Sequence, residues 1–115
     1  MPKVYGIHTV ELRPGVEPGE FEAFALGKFL PALNSLNAAG CEFHLLRADR
    51  GVREGKYIFM MIFDSVETRN RYFPRVDFAS PELIALIQPL HPMGDTWEGL
   101  SQREKTDYIQ LDQHA

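Results

Sequence analysis

His8 is the side chain best placed in this sequence to move a proton. It falls midway along Val4–Leu12, where Val4, Gly6, His8, Val10 and Leu12 share one face of an extended chain and Tyr5, Ile7, Thr9 and Glu11 share the other. A neutral imidazole buried in such a strand can act as a general base; the same placement also suits a core histidine bonded to a neighbour. Tyr72 is the second candidate. Near the end of a helix that packs on a sheet, its ring would fill core while its phenol held a developing enolate or oriented an oxygenated ring. Three further residues suit ligand contact. His44 shares a face with Glu42 and Leu46 on an expected edge strand, at a rim or on the surface. His91 lies between Leu90 and Pro92, and Trp97, the only tryptophan, could floor an aromatic pocket or seal a helix layer.

Other chemistries find no support. The histidines His8, His44, His91 and His114 have no metal-ligand spacing, and no acidic residue stands at a motif distance, so no metal and no cofactor are expected. Gly15 and Gly19 lack the lysine of a phosphate loop, and no serine sits in a nucleophile elbow. Cys41, the single cysteine, reads as apolar filler. A formal net charge of −4 weighs against nucleic acid as partner. Arg47, Arg50, Arg53 and Lys56 are interrupted by Asp49 and Glu54 and read as a solvated hairpin. No apolar run reaches the roughly 20 residues of a membrane helix. The first residues turn polar too early for a signal peptide, so a cytoplasmic location is the expectation.

The elements that must position these residues follow from periodicity. Val4–Leu12 is the first strand, ended by Pro14-Gly15. A helix opens at Pro18, and Phe21, Phe24, Ala25, Leu26, Phe29, Leu30 and Leu33 give it a broad apolar face. Pro31 cannot donate to the carbonyl of Gly27, so the helix should kink or end there. Cys41–Ala48 and Tyr57–Phe63 form a hairpin across Gly51–Gly55. The second of these, Tyr-Ile-Phe-Met-Met-Ile-Phe, is apolar without alternation, as a strand covered on both faces would be. A second helix starts at Asp64 or Ser65, with Glu67 as capping-box partner of Asp64, and runs to about Phe73. Ser80-Pro81-Glu82 opens another, limited by Pro89. Residues 90–102 yield no assignment, and Tyr108–Leu111 is a short final strand. This order predicts one α+β domain over 1–115, a ferredoxin-like βαββαβ fold with an antiparallel four-stranded sheet.

Two motifs carry a resemblance. His8-Thr9-Val10-Glu11-Leu12-Arg13-Pro14-Gly15 and Phe63-Asp64-Ser65-Val66-Glu67-Thr68 through Tyr72 resemble the dimeric α+β barrel superfamily, in particular its stress-responsive, NIPSNAP-like and polyketide cyclase-like members. The resemblance implies two sheets packed face to face across a homodimer, with a small-molecule pocket between sheet and helices. It matches Tyr72 to the cyclase tyrosine, whereas the histidine that follows there has no counterpart in Phe73–Phe78. In the haem-degrading members tryptophan precedes histidine; here Trp97 follows His91.

Three functions are therefore weighed. The first is a cofactor-independent enzyme, of monooxygenase, cyclase or isomerase type, acting on a hydrophobic aromatic or polyketide-like molecule through His8 and Tyr72. The second is a non-catalytic dimeric module that binds a ligand or serves a stress role. The third is a haem binder.

Overall fold

Alternation along Val4–Leu12 builds β1: Val4, Gly6, His8 and Val10 are buried, and the residues between them are half-buried. The computed structural model describes residues 2–76 and 78–111, so Asp77 and His114 lie outside the described residues. β2 is Cys41–Arg47 and β3 is Tyr57–Phe63, joined by a turn in which Ala48 donates to Lys56 and Gly55 to Ala48. β4 is Ser101–Ile109. The strand order is β2-β3-β1-β4 with every pairing antiparallel, which is the ferredoxin-like arrangement, and the apolar strand β3 is central as expected.

β4 corrects the sequence reading. It begins seven residues before Tyr108 and pairs with the whole of β1, from Val4 opposite Ile109 to Leu12 opposite Ser101. Its run Gln102-Arg103-Glu104-Lys105-Thr106-Asp107 hides it from hydrophobic patterning, because an edge strand meets water and is protected by charge. The unassigned stretch before it is α5, His91–Leu100, reached through a 3₁₀ turn at Gln88–Leu90.

The first helical segment is α1 (Pro18–Phe24), a π-turn (Ala25–Phe29) and α2 (Leu30–Asn34). Pro31 neither ends nor sharply breaks it. The chain widens by one residue before the proline, and the Leu30 amide donates to Ala25, five residues back. α3 is Val66–Tyr72, capped by Ser65, whose Oγ accepts from the Thr68 amide at 3.1 Å. With Ser65 as cap, Thr68 takes the third helical position, so the expected Asp64–Glu67 box does not form; Asp64 instead accepts from the Thr68 hydroxyl. α4, Pro81–Ile87, starts as predicted, with Ser80 Oγ accepting from Leu83 N at 3.2 Å.

The helices cover one sheet face. Tyr57, Phe59, Met61 and Phe63 of β3 point into them. Trp97 is 1% exposed and anchors the core, with ring centroids 5.3 Å from Phe21, 4.9 Å from Phe29 and 5.5 Å from Phe59. The opposite face carries Tyr5, Ile7, Ile58, Met60, Ile62 and Leu46, with no helix over it among the described residues. Gly40 suits its position twice over: its φ is +79°, and a Cβ would stand 2.6 Å from Asp64 Oδ2.

Candidate functional site

Between the inner sheet face and the helices lies a cavity of about 280 Å³. The strands supply Phe43, Phe59, Met61 and Phe63; the helical side supplies Phe29, Leu33, Leu83 and Ile87; the link between α3 and α4 adds Phe73, Val76 and Ala79. These alternate strand positions are apolar because they face helices, so the cavity inherits apolar walls from core patterning.

Its polar groups come from two neighbouring strands and α3: His8, Arg69, Arg103, Lys105 and Asp107. His8 is 4% exposed, with its ring 5.8 Å from Phe59. Across the β1–β4 ladder, Val10, His8 and Gly6 stand opposite Arg103, Lys105 and Asp107. Gly6 keeps the ground beside His8 open. A Cβ at that position would meet Met61 Cε at 3.3 Å, Asp107 Oδ1 at 3.4 Å and His8 Nε2 at 3.5 Å. Arg69 Nη1 donates to Asp107 Oδ2 at 2.8 Å, a pair only about a quarter exposed on either side. Arg103 lies over Trp97 at 5.4 Å and Phe59 at 6.0 Å, and donates to Glu98 at 2.6 Å.

Of the residues singled out in the sequence, only His8 lines this cavity. Tyr72 is 2% exposed, and its hydroxyl turns away to donate to the Ala39 carbonyl at 3.4 Å. Trp97 lies in the core beneath Arg103, and its buried Nε1 has no hydrogen-bond partner among the described residues. His44 is on the outer face of an edge strand, 48% exposed and 3.9 Å from Glu42. His91 starts α5 and reaches Asp95 at 3.5 Å with 77% of its side chain exposed. It borders a second hollow of about 410 Å³ that shares Phe29, Leu33 and Ile87 with the first. The structure thus does not gather His8 with Tyr72, because α3 turns Tyr72 toward the chain before β2 and Arg69 toward β4.

Arg69, Arg103, Lys105 and Asp107 escaped the sequence reading. The signal was present: Arg103, Lys105 and Asp107 recur with period two directly before Tyr108. An earlier strand boundary would have put all three on one face beside His8. Among the described residues, no group of three or more His, Cys, Asp or Glu is arranged to hold a metal ion. Cys41 is half-buried, and its thiol is pushed up to about 12 by burial, then by Glu42 and Asp64. No described helix is long and apolar enough to cross a membrane.

No protein-family model and no curated protein matches the chain. Solved structures do. SnoaB, a cofactor-independent oxygenase from Streptomyces nogalater, aligns with TM-score 0.58 and 16% identity over 98% of this chain and 97% of its own. A dabb family protein with a ferredoxin-like fold from Mesorhizobium loti aligns with TM-score 0.56 and 19% identity over 97% of this chain and 100% of its own. A dimeric protein of unknown function and ferredoxin-like fold from Bacteroides fragilis aligns with TM-score 0.55 and 18% identity over 92% and 94%. At these identities the likeness speaks for fold alone: this chain has a ferredoxin-like fold.

Proposed function

We propose that this protein is a small-molecule-binding barrel protein that works as a cofactor-independent enzyme on a hydrophobic, aromatic or polyketide-like substrate, with His8 as general base. The observation that carries the reading is a buried imidazole in the wall of an apolar cavity that, among the described residues, also presents Arg69, Arg103, Lys105 and Asp107. A neutral imidazole there can take a proton from a phenol or from a carbon acid beside a carbonyl. The anion left behind lies beside the half-buried Arg69 and Arg103, which stabilise it more than water-exposed cations would. Arg69 takes the charge-stabilising role that the sequence suggested for Tyr72, since it faces the cavity and Tyr72 does not. The fold shared with a cofactor-independent oxygenase supports this by analogy.

The chain is further proposed to act as a homodimer joined through the uncovered sheet face. The apolar row on that face and the dimeric relative of the same fold support it.

The test is turnover of a panel of hydroxylated aromatic ketones by purified protein, followed by oxygen uptake and mass spectrometry of products. His8→Ala should lower turnover by about 10²–10⁴-fold. Unchanged turnover in that variant would remove His8 as the base. A second reading, a non-catalytic ligand binder, draws on the separation of Tyr72 from His8. Retention of a small molecule at one per subunit in native mass spectrometry, with no turnover of any panel member, would establish it instead.

A further inference from the structure

The cavity beside His8 has a neighbour on the helical side. A second hollow, of about 410 Å³, is lined from α4, the 3₁₀ turn at Gln88–Leu90 and α5. Phe29, Leu33 and Ile87 line both spaces, so the two adjoin across an apolar partition. Phe29 and Leu33 are buried, and Ile87, at the end of α4, is half-buried. The first cavity alone, at about 280 Å³, is slightly smaller than the roughly 300–1,000 Å³ usual for a ligand site, and the pair falls well inside that range.

The second hollow is apolar inside and polar only at its edge. Ile84 and Leu90 join the three shared residues, whereas Gln88, His91, Asp95 and Glu98 are all exposed and form a rim. Ile84 is 55% exposed although it lines an apolar space. Gly94, inside α5, also lines it. Glycine is a weaker helix former than alanine, and neither a left-handed backbone nor a close neighbour requires it here, since a Cβ would meet nothing within 4 Å. What the glycine leaves at that place is room. The shared wall adds a further irregularity. The π-turn Ala25–Phe29 ends on Phe29, and such turns are rare and recur at functional sites.

We propose that the two hollows form one elongated site: the reacting ring of the ligand lies in the first, beside His8, and an apolar chain on that ring passes between Leu33 and Ile87 into the second, over Ile84 and Gly94. The inference rests on the reading of the first cavity as the ligand site and adds the shape of the molecule that site takes. A chain in the second hollow covers Ile84 and encloses Ile87 further, so each methylene taken out of water there raises affinity by about 3-fold to 4-fold. The gain stops at the rim, because methylenes beyond His91 and Glu98 meet water again. A bare ring fills the first cavity alone and forgoes the contribution of the second.

The experiment compares 4-ethylphenol with 4-heptylphenol, which share a ring and differ in chain length, by isothermal titration calorimetry. The native protein should bind heptylphenol about 30-fold or more tightly than ethylphenol. Gly94→Leu fills the second hollow from α5 and should remove most of that gain, while the affinity for ethylphenol changes by less than about 2-fold. Ile84→Glu, at an exposed position of α4, places a charge in the path of the chain and should weaken heptylphenol binding by about 10-fold. Circular dichroism verifies that each variant is folded, and the exposed Ile84 position keeps the test open if Gly94→Leu does not fold. Equal affinity for the two phenols, or a chain-length gain that survives in every folded variant, overturns the elongated site, and binding of ethylphenol then leaves the first cavity standing. A change of sedimenting mass in Ile84→Glu would give the hollow to a second copy of the chain and overturn the proposal as well. Binding of neither phenol overturns the elongated site and the cavity reading together.

Discussion

Tyr72 and His8 are both buried, yet they meet different surroundings. Tyr72 fills core, and its one recorded hydrogen bond, to Ala39 O at 3.4 Å, is long. Tyr72→Phe should therefore cost no more than about 1 kcal/mol in urea-denaturation stability and leave the affinity for cavity ligands unchanged. A tenfold loss of ligand affinity would return Tyr72 to the site. His8 faces the cavity directly, and its neighbour Gly6 matters through what it lacks, since a methyl group there would crowd Met61, Asp107 and His8 at 3.3 to 3.5 Å. Trp97 is the opposite case. Three aromatic rings and Arg103 surround it, so its size supports the wall without entering the cavity.

At the scale of elements, α1 is tied to the hairpin by a polar cluster. Tyr57 donates its hydroxyl to Glu22, and Arg47 Nη1 lies 2.9 Å from the same carboxylate oxygen. The Tyr57 hydroxyl, assisted by Arg47 and opposed by desolvation, holds the Glu22 carboxyl below its ordinary value of 4.5. A depressed folded value means that the cluster stabilises the fold above pH 4.5 and loses that contribution as pH falls through the lowered value. Urea midpoints measured between about pH 6 and 3 should fall more steeply for the native sequence than for Glu22→Gln. Parallel curves would show that the cluster contributes nothing to folding. Asn34 does comparable work at the sheet's edge. Its side chain donates to the Phe43 carbonyl and accepts from the Phe43 amide, both at 3.2 Å, which occupies backbone groups of edge strand β2.

For the molecule as a whole, the uncovered sheet face is where the proposed homodimer would join. Met60 sits at its centre, opposite His44 on β2 and Ile7 on β1, with Ile58 and Ile62 two positions away. Burying such a row against a second copy would remove apolar surface from water on both partners. Sedimentation equilibrium at micromolar concentration should report a dimer. Met60→Glu should report a folded monomer, because burying a carboxylate at that centre would strip it of its hydration. A native monomer would sink the proposed homodimer.

Much of this fold was legible in the residues. The central strands, the hairpin, the starts of α3 and α4 and the element order follow from hydrophobic period and capping chemistry, which act over a few neighbouring residues. His8 was legible as a buried imidazole for the same reason. The path of the chain at Pro31 was not, since a proline can end, kink or be absorbed by a helix, and here the helix passes through a π-turn at Ala25–Phe29 before it. Nor was β4 legible. Its charged sequence has no hydrophobic rhythm, and only pairing along β1 makes it a strand. That pairing is what sets Arg103, Lys105 and Asp107 beside a histidine almost a hundred residues earlier. Local chemistry thus determined the central strands, the hairpin and the helix starts. Long-range backbone pairing, which no short window of sequence contains, determined which side chains share the cavity.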